Sequence, residues 1–483
     1  MVRSEVKSYV ARQLSEQVKI LRLSAYDQDG TPNLKRFFFY RIEKFLRDFL
    51  SEHSEPRWII IPGLRGVGKT TVMAQLFFRY SEVFGKNVLY VSLDEVTKKL
   101  GSNLYEILDA YEELLTVSFS QLKEDVLILV DEVHFDPDWQ YALKTLYDQS
   151  RRVFIVSTGS SAIALNTTTD VARRSHTEKM YPLKFTEYIM LADSIERDNS
   201  DIAFPPKLGK EIGSALFESA DAEDAFRKLR VLREAVTRYW QDVDIRSVDR
   251  YLKFYSVPSV LSYSDDTLIY SNLNAVIDRV VEKDIPTMKS FAPDVQAKIP
   301  ALLFILAGSD TQSVPSMASE LKDIDAKTLT AVLRILEDAE ILLRVYPFSA
   351  SAPKKVRLPS KYLFLAPSVR AALLHLLDSR NIDITHKGKL LEDAVGMYLY
   401  RYFKDALGWT LSYDAGKNGA DFVVDGEGKR IVVETGWNKR THQQVVKTLE
   451  TVSGSYGLIV TDSCTLGVQD NVLFVPFEFF FLQ

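Results

Sequence analysis

Four stretches in the first third of the chain are apolar with almost no alternation: RWIIIPG from Arg57, NVLYVSLD, DVLILVDE and RRVFIVSTGSS. Continuous runs of this length suit strands of a parallel sheet covered on both faces. Between them, apolar residues recur at helical spacing. This predicts helices over YRIEKFLRDFL (Tyr40 to Leu50), from Thr70 to about Tyr80, and over WQYALKTLYDQS. Residues 1 to about 29 read as a polar helical stretch, broken by the turn-rich DQDGTPN at Asp27 to Asn33. Strands alternating with helices predict a doubly wound α/β domain reaching about residue 185.

Beyond it the pattern changes. Residues 186–290 read as helical and charged, with FPPKLGK (Phe204 to Lys210) as a loop. Residues 291–375 read as three helices and two strands, with SASAPKK (Ser349 to Lys355) as the hairpin loop. From about 385 the expected order is helix, strand, turn, strand, helix, strand, strand, a further small α/β unit. The length of 483 residues agrees with roughly three domains of about 150 residues each.

Composition narrows the classes. The net charge of -5 argues against a protein that coats polyanions, so nucleic-acid contact would need local patches. Cys464 is the only cysteine, which rules out an intrachain disulfide and suits a reducing compartment. The N-terminus has no apolar core of signal-peptide length. The longest apolar runs, such as IPALLFILAG, are too short to cross a bilayer. The expectation is a cytoplasmic protein with no membrane partner.

The sharpest chemistry is GLRGVGKTT, comprising Gly63, Leu64, Arg65, Gly66, Val67, Gly68, Lys69, Thr70 and Thr71. It matches the phosphate-loop pattern GxxxxGK[ST] and falls between an expected strand and helix, as that motif requires. Gly66 and Gly68 let successive backbone N–H groups face phosphate oxygens. Lys69 would reach the β- and γ-phosphates, and the Thr70 hydroxyl would meet Mg²⁺. DVLILVDE is expected to form the strand beside this loop, with Asp131 holding Mg²⁺ and Glu132 polarising an attacking water. No NKxD base-reading pattern occurs, which favours ATP. Thr158 or Ser160, at the end of the next strand, would sense the γ-phosphate. Arg173 and Arg174 follow, and Arg174 would contact that phosphate in the same or a neighbouring subunit, which would imply a homo-oligomer.

A second constellation lies near the end of the chain. ADFVV carries Asp421 and VVETGW carries Glu434. An Asp, a turn and a strand bearing Glu is how many Mg²⁺ nucleases hold their metal, so Asp421 and Glu434 are candidates for a second metal site. Such nucleases place Lys two residues after the Glu, where this chain has Gly436. Lys439 and Lys447 are the conceivable substitutes. The alternative is a pair of strand-end carboxylates in a binding domain.

GLRGVGKTT, VDEVH, a Trp-started helix, TGSSA, an Arg and PLKFTEY together resemble the archaeal and bacterial P-loop ATPases of AAA+/STAND type. The likeness runs over nearly the whole chain from about Arg41. It implies an α/β fold with an AAA+-type P-loop core, a helical lid, a winged helix and a small C-terminal restriction-endonuclease-like domain of the PD-(D/E)xK class. The corresponding segments are 1–50 (N-terminal helical), 51–185 (core), 186–290 (lid), 291–375 (winged helix) and 385–483 (nuclease-like). Arg174 stands where the family has its Arg, eight residues before Pro182, while Arg173 replaces Gly. Lys184 stands where Ser is usual, and FYSVPSV keeps Pro258 but lacks two glycines of a later signature. Glu392 stands where the nuclease-like domain often has an acidic residue.

In the winged-helix segment, Asp325 is the expected N-cap of the second helix, and Leu329, Leu333 and Leu336 give that helix an apolar face. Lys327, Arg334, Lys354, Lys355 and Arg357 could meet DNA phosphates, yet acidic residues nearly balance them. Three readings follow. The first is an Mg²⁺-dependent ATPase working as a switch or motor on double-stranded DNA, its nuclease-like domain inert or weak. The second is a signalling ATPase with a protein partner and no DNA. The third is an ATP-regulated nuclease.

Overall fold

The first apolar run forms β1 (Trp58–Pro62), and the next three form β2 (Val88–Ser92), β3 (Val126–Asp131) and β4 (Val153–Gly159). A short β5 (His176–Thr177) joins them in one parallel sheet of order β2-β3-β4-β1-β5. Every residue of β1, β3 and β4 is buried, which is why these strands carry no polar alternation. One expectation is corrected. β3 does not lie beside β1, because β4 is inserted between them and pairs with both. Sequence runs fix strand existence but not lateral order. The computed structural model describes residues 3–160, 168–196, 206–309, 311–349, 358–377, 386–462 and 464–483. It divides into Met1–Tyr181 with Lys283–Ser290, and Pro182–Glu282 with Phe291–Gln483.

In the first unit, helix α1 (Ser4–Ala25) buries Val6, Tyr9, Val10 and Leu21, together with two glutamines. Gln17 explains the polar content. Its amide donates to the Val88 carbonyl at 3.1 Å and accepts from the Tyr90 N–H at 3.1 Å. The side chain thereby satisfies backbone groups on the open edge of β2, which is otherwise free to pair with another chain. α2 (Phe37–Glu52) and α3 (Lys69–Phe84) follow the expected helical spacing.

The second unit contains helices at Phe185–Glu196, Pro206–Phe217, Ala222–Asp242 and Asp266–Arg279. Helix already begins at Pro206, within the stretch expected to be a loop. A proline at the first helical position has no N–H to leave unpaired. Helices Val314–Leu321 and Ala326–Asp338 lead into β7 (Leu342–Pro347) and β8 (Ser360–Phe364), which pair antiparallel. The short β6 (Thr311–Gln312) flanks β8. Asp325 caps the second helix by accepting from the Lys327 and Thr328 N–H groups. The hairpin-loop residues Lys354, Lys355 and Arg357 lie outside the described residues.

Beyond helix Lys387–Leu399 come β9 (Thr410–Tyr413), β10 (Phe422–Gly426), β11 (Lys429–Thr435), β12 (Tyr456–Thr461), β13 (Gly467–Gln469) and β14 (Val472–Pro476). β9 and β13 are additions to the expected strands. Both are short, and neither is an apolar run. β9 pairs in parallel with β7 (Tyr346 opposite Ser412), so β6 to β14 form one nine-stranded sheet of order β13-β14-β12-β11-β10-β9-β7-β8-β6. Behind it, the fully buried Arg370 donates to both oxygens of buried Asp393, at 2.6 and 2.8 Å, and to the carbonyls of Ala307 and Tyr362. Such a bidentate pair supplies the partners that a buried guanidinium and carboxylate require. Among the described residues, no helix is long and apolar enough to cross a membrane.

Lys184 is half-buried in this unit, with its ammonium 3.2 Å from the Gln483 backbone oxygen. Burial, reinforced by Arg401 and opposed by Glu187, pulls its pKa from 10.5 down to about 7. Between those values the unfolded chain holds a proton that the folded chain has released. Stability therefore climbs with pH across that window, and the charge opposes folding most strongly below it. Lys184→Met is expected to raise Tm at about pH 7 and to raise it much less at about pH 10. Equal gains at the two pH values, measured by thermal unfolding, would refute this account.

Candidate nucleotide site and a second polar cleft

The loop from Gly63 to Thr71 leaves β1 and enters α3. Gly66 and Gly68 have φ of 85° and 99°, a region costly for any residue with a Cβ. Lys69 is buried and folds back over the loop, donating to the carbonyls of Gly63 at 2.8 Å and Leu64 at 3.3 Å. Leu64 and Val67 are buried, while Thr70 and Thr71 are half-buried at the start of the helix. The Thr70 hydroxyl donates to Asp131 at 2.7 Å.

Asp131 ends β3 and is buried. It also accepts from Tyr90 at 3.3 Å, from Thr158 of β4, and from the Glu132 N–H at 3.1 Å. The insertion of β4 between β1 and β3 is what brings Thr158 to this carboxylate. A hydroxyl and a carboxylate joined at the head of a phosphate loop fit a hard, oxygen-seeking cation such as Mg²⁺.

Glu132 has φ 53°, a left-handed conformation that is strained for a residue with a side chain. Burial pushes its carboxyl up to about 7, against the opposing pull of Lys69. Its Oε2 lies 3.3 Å from His134 Nδ1, whose ring burial holds at about 4 and hence neutral. His134 Nδ1 also accepts from the Ser160 N–H at 3.4 Å. Arg65 pairs with Asp284 at 3.4 Å, and Asp284 lies 3.9 Å from His134 Nε2. Ser160 Oγ, Arg65 Nε and His134 Nε2 are buried without a hydrogen-bond partner among the described residues. Three polar atoms therefore remain unsatisfied around the loop, where a phosphate would supply acceptors.

Arg174 is not among the groups gathered here. Its guanidinium donates to Asp148 at 2.7 Å and to the Asp170 carbonyl at 2.8 Å. Arg173 is exposed. Sequence reasoning passed over Arg36, Tyr90, His134 and Asp284. His134 lies within the quoted VDEVH, but no local pattern marks the other three, which arrive from remote segments. Arg36 is buried and donates to the Val67 carbonyl at 2.7 Å and the Tyr181 carbonyl at 3.0 Å, bracing the loop from behind.

In the second unit a cleft of about 770 Å³ is lined in part by Lys361, Glu392, Asp421 and Glu434. Glu434 Oε2 accepts from the Asp421 N–H at 3.1 Å, and Oε1 accepts from Lys439 Nζ at 2.6 Å. Asp421 Oδ2 accepts from the Thr435 N–H and hydroxyl, each at 2.9 Å. The Lys361 ammonium lies between Glu392 and Asp421, 3.2 Å from Asp421 Oδ1. Lys439 thus reaches Glu434, whereas Lys447 bonds the Lys417 carbonyl at an exposed site. A Cβ at Gly436 would come within 3.3 Å of the Lys439 stem, so this glycine leaves room for that lysine to fold back. Lys361 was missed because it lies on β8, far before the motif. Among the described residues, no group of three or more His, Cys, Asp or Glu is placed to hold a metal ion.

A family model described as an AAA domain matches residues 55–189, which include the loop, Asp131 and Glu132. Another, described as a domain of unknown function (DUF8612), matches residues 245–380. The chain is 31% identical to the uncharacterized protein MJ1637 of Methanocaldococcus jannaschii over 482 residues, covering 99% of this chain and 94% of that protein. It is 19% identical to MJ1544 of the same organism over 385 residues, covering 77% of this chain and 73% of that protein. Among solved structures, the Walker-type ATPase PABY2304 of Pyrococcus abyssi is similar, with 12% identity, TM-score 0.40, and coverage of 74% of this chain and 99% of that one. The Aeropyrum pernix ORC1 protein, solved in complex with DNA, has 15% identity and TM-score 0.33, with coverage of 73% and 95%.

Replacing Arg36 by Met removes two donors from buried carbonyls. The expected cost is on the order of 2–3 kcal/mol in stability, together with several-fold weaker nucleotide binding. Thermal unfolding and titration with a fluorescent ATP analogue measure both effects. A lower Tm with unchanged affinity would mean that Arg36 supports the fold but not the loop.

Proposed function

The chain belongs to the same family as MJ1637 of Methanocaldococcus jannaschii, and from the site it carries we propose that it is an Mg²⁺-dependent ATPase acting as a molecular switch or motor. The observation carrying this reading is the convergence of Lys69, Thr70, Asp131 and Glu132 at one end of a parallel sheet, within the AAA-domain match. In it, the loop N–H groups and Lys69 bind the β- and γ-phosphates once Lys69 releases the carbonyls it now caps. Thr70 and Asp131 hold Mg²⁺, which when bound offsets phosphate charge. Glu132 orients and deprotonates the attacking water, and its raised pKa suits a base working near neutrality. Ser160 senses the γ-phosphate, and Arg174 acts on it only after leaving Asp148, in its own or a neighbouring subunit.

The segments 1–50, 51–185, 186–290, 291–375 and 385–483 are assigned in this reading as N-terminal helices, ATPase core, helical lid, winged helix and PD-(D/E)xK-like domain. The helix pair and hairpin between Val314 and Phe364 support the winged-helix assignment. Its partner in this reading is double-stranded DNA. The alternative is a signalling ATPase with a protein partner, favoured by the net charge of -5. The third, an ATP-regulated nuclease, is opposed by the lysines that occupy the carboxylates of the second cleft.

Lys69→Ala is expected to weaken ATP binding. Glu132→Gln should retain binding while slowing hydrolysis by about 10²–10⁴-fold. Turnover by Glu132→Gln at the parental rate would remove Glu132 from the base role. Arg174→Ala should lower kcat with little change in nucleotide affinity, and a fall in affinity alone would exclude a contact made chiefly in the transition state.

ATPase rates with and without duplex and single-stranded DNA, over a range of salt, separate the partner readings. Acceleration by duplex that collapses as salt rises is the expected result, because phosphate contacts release counterions. A rate indifferent to DNA at low salt would favour the protein-partner reading.

A further inference from the structure

Lys361 is a buried lysine in an unusual place. It lies on β8, yet its ammonium sits among carboxylates carried by helix Lys387–Leu399 and by the residue just before β10. It contacts Glu392, reaches Asp421 Oδ1 at 3.2 Å and the Asp421 carbonyl at 3.4 Å. The rings of Phe422 and Tyr413 approach it at 5.3 and 5.6 Å. Its side chain is 8% exposed, and that of Glu392 is 13% exposed. Carboxylate oxygens from Glu392 and Asp421, with a third carboxylate (Glu434) on the far side of Asp421, are the ligand type a hard cation takes, while the two rings suit an ammonium. An ammonium is the side-chain group that most resembles a compact point charge.

We propose that Lys361 is a built-in counter-cation: it neutralises the Glu392–Asp421–Glu434 centre in place of a divalent metal, and its removal converts the centre into a metal site. Two ammonium groups, Lys361 and Lys439, face the three carboxylates. Each oxygen of Glu434 and of Asp421 already accepts from a protein donor, which leaves little coordination for an ion while Lys361 stays in place. Without Lys361, the partly buried Glu392 and Asp421 would lose the cation that lies between them, which is the position a divalent ion would take. This inference stands apart from ATP hydrolysis and does not depend on it.

The test is Mn²⁺ binding to the full nucleotide-free chain, followed by the loss of the free-ion electron paramagnetic resonance signal. Wild type, Asp421→Asn, Lys361→Met and the double variant Lys361→Met with Glu392→Gln are compared, with circular dichroism reporting their fold. The proposal expects wild type and Asp421→Asn to bind the same number of ions. It expects Lys361→Met to bind one more, and the double variant to lose it. It also expects Lys361→Met to unfold on the order of 10 °C lower without Mn²⁺ and to recover part of that loss when Mn²⁺ is added. Wild-type binding that Asp421→Asn abolishes would overturn the proposal, and this comparison holds even if Lys361→Met fails to fold. A folded Lys361→Met with no added site would also overturn it, leaving Lys361 as an ordinary buried ion pair.

Discussion

A carboxylate taken out of water must find a donor for each oxygen, and Asp131 meets that demand with groups from four places in the chain. Thr70 comes from the first turn of α3, Tyr90 from β2, Thr158 from β4, and the Glu132 N–H from the next residue. Asp131 gathers donors from two other strands, Tyr90 within β2 and Thr158 near the end of β4, into one cluster. The phosphate loop, the strained Glu132 and the strand order are bound together by these contacts. Loss of any one donor would leave a buried charge under-satisfied, a larger penalty than the loss of an exposed hydrogen bond.

What could be read from the sequence follows from how local each feature is. The four apolar runs identify β1 to β4 because burial on both faces writes itself into consecutive residues. The loop is legible because nine adjacent residues carry its whole chemistry. The insertion of β4 between β1 and β3 is not, because lateral order depends on contacts between distant runs. Arg36 and Asp284 were invisible for the same reason: one precedes the loop by a helix, and the other follows it by more than 200 positions. Gln17 shows a subtler limit. A glutamine on a polar-looking helix reads as solvated, yet its amide is what closes the edge of β2.

The second unit meets the same demand by adding whole charges to hydroxyl and backbone donors. Asp393 is matched by Arg370, whose planar fork satisfies both oxygens and still reaches three carbonyls. Asp421 and Glu392 are matched by Lys361. In both cases the cation lies earlier in the chain than its carboxylate, on elements expected to belong to a separate module. The pairing of β7 with β9 makes the sheet continuous across that expected boundary. Buried ion pairs are poor sources of net stability, and removal of one partner leaves the other charge unpaired, at a large cost. Such pairs favour a fixed register between the hairpin and the strands that follow.

Gly436 brings these points together. Judged against nucleases that place a lysine there, the glycine reads as a loss. In the fold it permits a different solution, because the Lys439 stem lies back against the position a Cβ would fill and carries its ammonium to Glu434 Oε1. A Cβ at 436 would sit 3.3 Å from that stem, a contact that a small shift of the flexible lysine relieves. The displaced lysine supplies the ammonium, and a spacing rule that scores only the second residue after the glutamate does not register it. The other lysine, Lys361, has no spacing relation to Glu434 and is reached only through the sheet. With both in place, the carboxylates are held by protein cations, and the chemistry open to the cleft depends on whether those lysines stay.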